Sequence, residues 1–364
     1  MIRMIQNREY ASFFNDGTGE YFRTGKLDKG KDTGKDVFMG DFPELLDVGI
    51  MGHCTHGKSG LCIKAGVECY QNGLTSDAPN MTVSDFEKIV NECRGKTYQI
   101  ALGGCGDPDC HEDFEEILKL CRENGIVLNF TTSGLGITEQ KAALCKKYCG
   151  AVAVSWYRSG YTLNAVRYLL RNGVKTNIHY VLCADTVKEA LERLRNSGER
   201  KDDGFPEGIN AVIFLLHKPV GQGSREKMIT QDNKDFQELL KFIDSETSVI
   251  LPFKIGFDSC TVPALLELKH LDPVSIDTCE GGRWSAYISP DMYMMPCSFA
   301  HEKKRWKVSL RDHSVHEAWN SDAFDSFRQI LLKSCGGCEK RELCMGGCPV
   351  IPEIVLCRKR EGNK

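Results

Sequence analysis

The sequence has no long hydrophobic run. Its longest apolar stretches, Gly150 to Trp156 and Ala211 to Leu216, are far too short to cross a bilayer. It has no surplus of charge of either sign: 47 Lys and Arg stand against 50 Asp and Glu, a formal net charge of −3. Bulk attraction to nucleic acid or to anionic lipid is therefore excluded. Met1 to Tyr10 is polar and charged and lacks an apolar h-region, so the cytosol is the expected location. No internal repeat and no low-complexity tract interrupts the 364 residues, which suffice for one large domain plus a smaller one.

What the chain does have is 18 cysteines. In a reducing cytosol these are not a disulfide framework. Thiols there bind metals, do redox chemistry, or sit buried as small apolar groups.

Hydrophobic periodicity divides the chain into three parts. Residues 8–24 alternate apolar and polar around Asn15-Asp16-Gly17 and read as a β-hairpin, and the Gly-, Lys- and Asp-rich residues 25–36 as a loop. These fall in an N-terminal segment, 1–40. Over 41–250, strands are expected at 45–51, 98–102, 126–131, 151–156, 176–182 and 211–216. Helices are expected at 83–93, opened by Thr82 or Ser84, and at 113–123, 138–147, 162–171, 186–195 and 232–243. Six strand–helix units imply an α/β fold with a parallel sheet, open or curled into a partial barrel, with ligands bound beyond the carboxyl ends of the strands. Over 251–364 the pattern changes to cysteines separated by short strands and turns.

Cys335, Cys338, Cys344 and Cys348 have the spacing C-x2-C-x5-C-x3-C, and Cys357 follows. Gly336, Gly337, Gly346 and Gly347 let the backbone wrap a site. Cys260, Cys279 and Cys297 complete eight thiols, enough for two four-thiolate sites. Tetrahedral sulfur sites suit both zinc and iron–sulfur clusters, so spacing leaves both open. The stretch Cys279 to Cys297 (CEGGRWSAYISPDMYMMPC) followed by CGGCEKRELCMGGC resembles the SPASM domain, which follows a radical S-adenosylmethionine core in many peptide-modifying enzymes. The resemblance covers most of residues 255–357 and implies a small Cys-rich α+β domain with two auxiliary [4Fe–4S] clusters. One would be held by Cys260, Cys279, Cys297 and Cys348, and the other by Cys335, Cys338, Cys344 and Cys357. The fold implied upstream is a partial (βα)6 parallel barrel.

In the radical class three cysteines hold a further [4Fe–4S] cluster whose fourth iron chelates S-adenosylmethionine, which makes three clusters in all. The usual loop after the first strand is C-x3-C-x2-C with an aromatic residue in or after the last gap. Here the loop reads GHCTHGKSGLCIKAGVECYQNG, and its cysteines, Cys54, Cys62 and Cys69, are spaced C-x7-C-x6-C. Cys62 and Cys69, with Tyr70, resemble the outer positions of that motif. Gly66 stands at the middle position, and Cys54 is expected to supply the missing thiolate. His53 and His56 are substitute ligands or hydrogen-bond donors behind the ligands.

The same resemblance implies cofactor contacts. Gly103-Gly104-Cys105-Gly106-Asp107-Pro108 looks like the glycine-rich motif that binds the methionine amine of S-adenosylmethionine, with Asp107 where the family usually has Glu. Ser133, in Thr131-Thr132-Ser133-Gly134, lies near the cofactor, Ser155 bonds the ribose, and Gly221, in Pro219 to Gly223, packs near the adenine. Cys105 and Cys110 flank Asp107 and are candidates for a thiol role in catalysis. Cys93, Cys121, Cys145, Cys149 and Cys183 read as core fillers.

The arrangement looks like a maturase of ribosomally made peptides. It would abstract hydrogen from a residue of a leader-bearing precursor and form a thioether or carbon–carbon crosslink, with electrons from a ferredoxin- or flavodoxin-like donor. A sulfatase-type formylglycine maturase is an alternative within the class. A non-catalytic zinc-binding module is an alternative outside it.

Overall fold

The computed structural model of the chain describes residues 1–245, 250–333 and 335–357. The N-terminal sheet has strands β1 (Ile2–Gln6), β2 (Ala11–Asn15) and β3 (Tyr21–Arg23), in the order β1-β2-β3. The expected hairpin is β2–β3. β1 was not foreseen, because Asn7 to Tyr10 carries no turn signature and the chain reverses there through an Asn7 N–H bond to the Tyr10 carbonyl, 2.9 Å.

The six core strands lie within two residues of their expected ends. They are β4 (Leu45–Met51), β5 (Gln99–Gly104), β6 (Val127–Thr132), β7 (Cys149–Ser155), β8 (Thr176–Leu182) and β9 (Ala211–Leu216). They pair in parallel and in sequence order, forming the partial barrel. Alternation sets the two faces: Leu46, Val48 and Ile50 are fully buried beneath the helices, and Asp47 and Gly49 lie on the inner face. The helices begin at side-chain caps. Thr82, the one of the two expected residues that does so, accepts the Asp85 N–H at 3.1 Å. Thr138, Ser159 and Asn233 cap Glu139–Tyr148, Gly160–Arg171 and Lys234–Ile243 in the same way.

The Cys-rich region is joined to both edges of this sheet. β10 (Lys254–Phe257) adds in parallel to β9, and β11 (Ser285–Ile288) adds in parallel to β4, with Tyr287 opposite Asp47. β12 (Tyr293–Met295) and β13 (Val308–Ser309) continue antiparallel. Two helices, Val315–Trp319 and Asp322–Lys333, supply the helical part of the expected α+β domain, which the pattern of short strands and turns did not locate. The first opens on a Ser314/Glu317 capping box, and the second buries Phe324, Phe327 and Leu331, an apolar stripe at helical spacing. No helix among the described residues is long and apolar enough to cross a membrane.

Tyr98 fastens the N-terminal sheet to the barrel. Its hydroxyl accepts the Ile5 N–H at 2.9 Å and donates to the Ser12 carbonyl at 2.6 Å, with Ser12 Oγ 3.1 Å away. In Tyr98→Phe these groups lose their partner inside a buried contact, which costs ~1–3 kcal/mol. Hydrogen exchange is expected to show roughly 5- to 100-fold weaker protection of residues 2–6 and 11–15, with β5 unchanged. Equal loss of protection in β5 would show that the hydroxyl supports the barrel rather than the N-terminal sheet.

Candidate functional site

The residues between β4 and the helix Val83–Cys93 leave the carboxyl end of the first core strand, and two single-turn helices within them present thiols. Cys54 caps Thr55–Lys58, its Sγ accepting the Gly57 N–H at 3.1 Å. Cys62 is buried in Leu61–Lys64. Cys69 Sγ accepts the Gly73 N–H at 3.4 Å. A Cβ placed on Gly73 would stand 3.2 Å from Cys54 Cβ and 3.3 Å from Cys69 Sγ, so these two side chains converge on the space a glycine leaves. Burial, then the charges of Cys54, Cys69 and Asp107, push the Cys62 thiol up to about 12. Burial also raises the Cys54 thiol, and Asp107 and Cys69 raise it further against the Gly57 N–H. The charged groups acting most on both thiols are anionic, so deprotonating Cys54 and Cys62 calls for a bound cation.

The spread of the sulfurs bears on which cation fits. Thiolates around one zinc, at about 2.3 Å from the metal, stand about 4 Å apart. Among the described residues, the trios whose ligand atoms all lie within 4.8 Å of one another are Asp107/Asp109/Cys110 and His111/Glu112/Asp113, and neither is a cysteine set. The three loop sulfurs are therefore not all within 4.8 Å of one another.

His56 sits behind the trio as a hydrogen-bonding partner. Its Nδ1 is 2.8 Å from Cys62 Sγ, and its Nε2 is 3.0 Å from the Tyr161 hydroxyl. His53 faces the Ala78 carbonyl at 3.2 Å instead. The loop is clamped from the far side of the barrel. Gly221, at φ +61°, approaches so closely that a Cβ there would lie 2.5 Å from the Tyr70 carbonyl oxygen, and the Gln222 N–H donates to the Cys69 carbonyl at 2.9 Å. Glu68 accepts the Ser224 N–H at 2.7 Å and pairs with Lys227 at 3.2 Å.

Asp107 and Ser133, assigned separately to the cofactor, are bonded to each other. Ser133 N–H donates to Asp107 Oδ1 at 2.8 Å, and Ser133 Oγ–H to Oδ2. Burial, then Asp109, pushes the Asp107 carboxyl up to about 6. Carboxylate oxygens have two acceptor sites each, so capacity for a further donor remains. Gly104, at φ +109°, serves packing: a Cβ there would meet Gly49 Cα at 2.9 Å, whereas one on Gly103 would meet open space. Ser155 lines a recess at the strand ends with Tyr157, His179, Glu68, His217 and Lys227. Burial pushes His179 down to about 4, so it is neutral, with Thr131 Oγ1 at 3.2 Å from its Nδ1. Tyr70 turns to the C-terminal region, where its ring is 4.9 Å from that of Phe299.

Burial pushes the Cys105 thiol up to about 11; Cys110, which reaches the surface, is pushed up to about 11 by partial burial and then by Asp109 and Asp107. Cys93, Cys121, Cys145 and Cys183 are buried as core fillers, and Cys149 packs half-buried beside Cys145.

In the C-terminal region Cys260, Cys279, Cys297 and Cys348 line one cavity of about 210 Å³. The Cys260 and Cys348 side chains hydrogen-bond each other, and burial followed by the Cys260 charge pushes Cys279 up to about 12. Cys344 is raised by burial and then by Cys357 and Cys335, which brings three thiols of the second set together. Cys338 lies in the same turn as Cys335, its N–H bonded to the Cys335 carbonyl at 3.3 Å. Sequence reasoning missed Asp47, Lys218, Glu280 and Phe299, which line the same cavity. Asp47 is pushed up to about 6 by burial. Only its inward position on an otherwise apolar strand could have marked it. Tyr157, His179 and Glu68 were missed as well, and their strand-end positions were the available signal.

Residues 279–346 match the SPASM family, an iron–sulfur cluster-binding domain. The chain is 23% identical over 338 residues to the PqqA peptide cyclase of Methylocella silvestris, covering 84% of this chain and 83% of that protein. It is 22% identical to the mycofactocin maturase MftC of Mycobacterium ulcerans, covering 79% and 80%. The fold matches crystal structures of Streptococcus suis SuiB bound to S-adenosylmethionine and to its precursor peptide SuiA. Both have a TM-score of 0.71 over 96% of this chain and 94% of that one, at 14% and 13% identity.

Gly221→Ala forces a Cβ into the Cys69–Tyr70 backbone and is expected to displace the clamp, costing the purified protein about four irons per chain. Gly103→Ala, which meets open space, is expected to retain them. Iron analysis after anaerobic reconstitution checks both, and full iron retention in Gly221→Ala would rule the clamp out as a requirement for the site.

Proposed function

From the premise of a radical S-adenosylmethionine fold joined to a SPASM domain, we propose that this chain is a maturase that modifies a ribosomally made, leader-bearing peptide. The proposal rests above all on the three thiols of the loop after the first core strand. Cys54 and Cys69 converge at Gly73 by the strand ends, and burial, followed by neighbouring anionic groups, raises Cys54 and Cys62. The PqqA cyclase, MftC and SuiB, named for peptide or maturation chemistry, support the substrate class.

In this reading Cys54, Cys62 and Cys69 hold three irons of a cube. Cys260, Cys279, Cys297 and Cys348 hold a second cube, and Cys335, Cys338, Cys344 and Cys357 a third. When bound, the loop cluster supplies the electron that cleaves S-adenosylmethionine and yields the hydrogen-abstracting 5′-deoxyadenosyl radical. The protein's part is to bind, to orient and to exclude water. Asp107, held by Ser133, accepts from the cofactor's amine. Gly103 leaves room beside it. Ser155, Tyr157 and neutral His179 line the recess for the nucleoside, and His56 steadies Cys62. Asp47, on the inner face between the loop and the auxiliary cavity, suits the acceptor of the proton a substrate loses on crosslinking, since burial raises its affinity for one. The same carboxylate would serve formylglycine formation, so locating the loss of two hydrogens by peptide fragmentation decides between the two products. A ferredoxin- or flavodoxin-like protein is the proposed electron donor.

Cys54→Ala, Cys62→Ala and Cys69→Ala are each expected to abolish 5′-deoxyadenosine formation from S-adenosylmethionine and dithionite. Cys344→Ala is expected to keep part of that cleavage while ending peptide modification. Full cleavage by Cys54→Ala would remove Cys54 from the ligand set.

A further inference from the structure

Lys218, in the loop after β9, is the one lysine among the described residues that is buried. Its ammonium donates to the Leu216 carbonyl at 2.8 Å and to Asp258 Oδ2, and it stands 4.6 Å from the centre of the Phe299 ring. An ammonium has three N–H donors, and these two are its hydrogen-bond acceptors among the described residues. It lines the 210 Å³ cavity together with Cys260, Cys279, Cys297 and Cys348. Its ion pair with the Asp258 carboxylate keeps it an ammonium. Lys218 in turn acts on Cys260 and Cys297 as a favourable positive charge.

Asp258 lines the same cavity, but its charge is shared among several donors. Its Oδ2 also accepts the Leu216 N–H at 3.0 Å, and its Oδ1 the Thr261 hydroxyl at 3.0 Å. Its side chain is 17% exposed against 3% for Lys218, so the carboxylate is the better solvated of the two charges.

We propose that Lys218 is a positioning residue that raises the reduction potential of the auxiliary cluster in this cavity. The inference rests on the proposed cluster there. A cluster that gains an electron becomes more negative, and a fixed cation in a low-dielectric wall stabilises that state more than the oxidised one. Only one electron moves, from the reductant to the cluster, with no bond made or broken. The site thereby becomes an electron acceptor matched to a substrate that must be oxidised.

The test is a dithionite titration of the full, anaerobically reconstituted chain followed by electron paramagnetic resonance. The signal altered by Cys297→Ala identifies the cluster. Lys218→Met is expected to lower its midpoint, Lys218→Arg to keep it near wild type, and Asp258→Asn to raise it. An unchanged midpoint in Lys218→Met at full iron content would overturn the proposal. If Lys218→Met loses the cluster, the Lys218→Gln midpoint decides: a fall supports the role and no shift overturns it. Loss of the cluster in both variants would give Lys218 a purely structural role and also overturn it. Zinc instead of iron in the wild-type cavity would end the cluster reading itself, whatever Lys218 does.

Discussion

Thiols crowded into a poorly solvated space hold their protons until a cation arrives, and the rest of this structure is arranged around that constraint. Cys62 and Cys279 are each driven up to about 12, first by burial and then by neighbouring thiols. Such thiols resist ionising together, because each buried anion would repel the next. They become favourable once metal neutralises them, so folding and metal loading are coupled here. The scaffold must therefore bring the thiols together without help from disulfides, and every cysteine of the described residues is free.

It does so with backbone rather than with side chains. Gly221 allows a close approach that any Cβ would block, Gly73 leaves room where Cys54 and Cys69 converge, and Glu68 fixes the loop to the turn after β9. The pairing of β11 with β4 places Tyr287 opposite Asp47 and sets the auxiliary cavity against the first core strand. Tyr70, next in sequence to Cys69, packs on Phe299, two residues beyond Cys297. One aromatic pair thus spans the gap between the two proposed cluster sites and sets their separation.

The barrel was legible because a parallel sheet covered by helices writes short apolar runs between amphipathic helices, and β4, β8 and β9 kept their expected ends. The thiols were legible because cysteine is costly to keep in number without metal. What could not be read was proximity across strands. Nothing local ties Asp107 to Ser133, His56 to Cys62 or Lys218 to Asp258, since each pair is set by sheet register or loop closure. The helices Val315–Trp319 and Asp322–Lys333 belong to the expected α+β domain but were not placed, for another reason. Their apolar stripe was present in the sequence, but the surrounding cysteines and glycines drew the reading toward turns.

The unusual C-x7-C-x6-C spacing follows from the same physics. Loop closure costs only about 0.6 kcal/mol for each doubling of length, so stretching the intervals from three and two residues to seven and six costs on the order of 2 kcal/mol in all. Metal binding by thiolate sites is worth far more, on the order of 10 kcal/mol. The extra residues are also not slack. They fold into the turns Thr55–Lys58 and Leu61–Lys64, with Gly60 at φ +73° and Gly66 at φ +72° turning the chain beside the second. Cys62 then faces His56 from within a helical turn, and Cys54 caps the turn before it. Convergence, not spacing, is what a cube of iron selects, and a longer loop built from rigid turns meets that requirement as well as a short one.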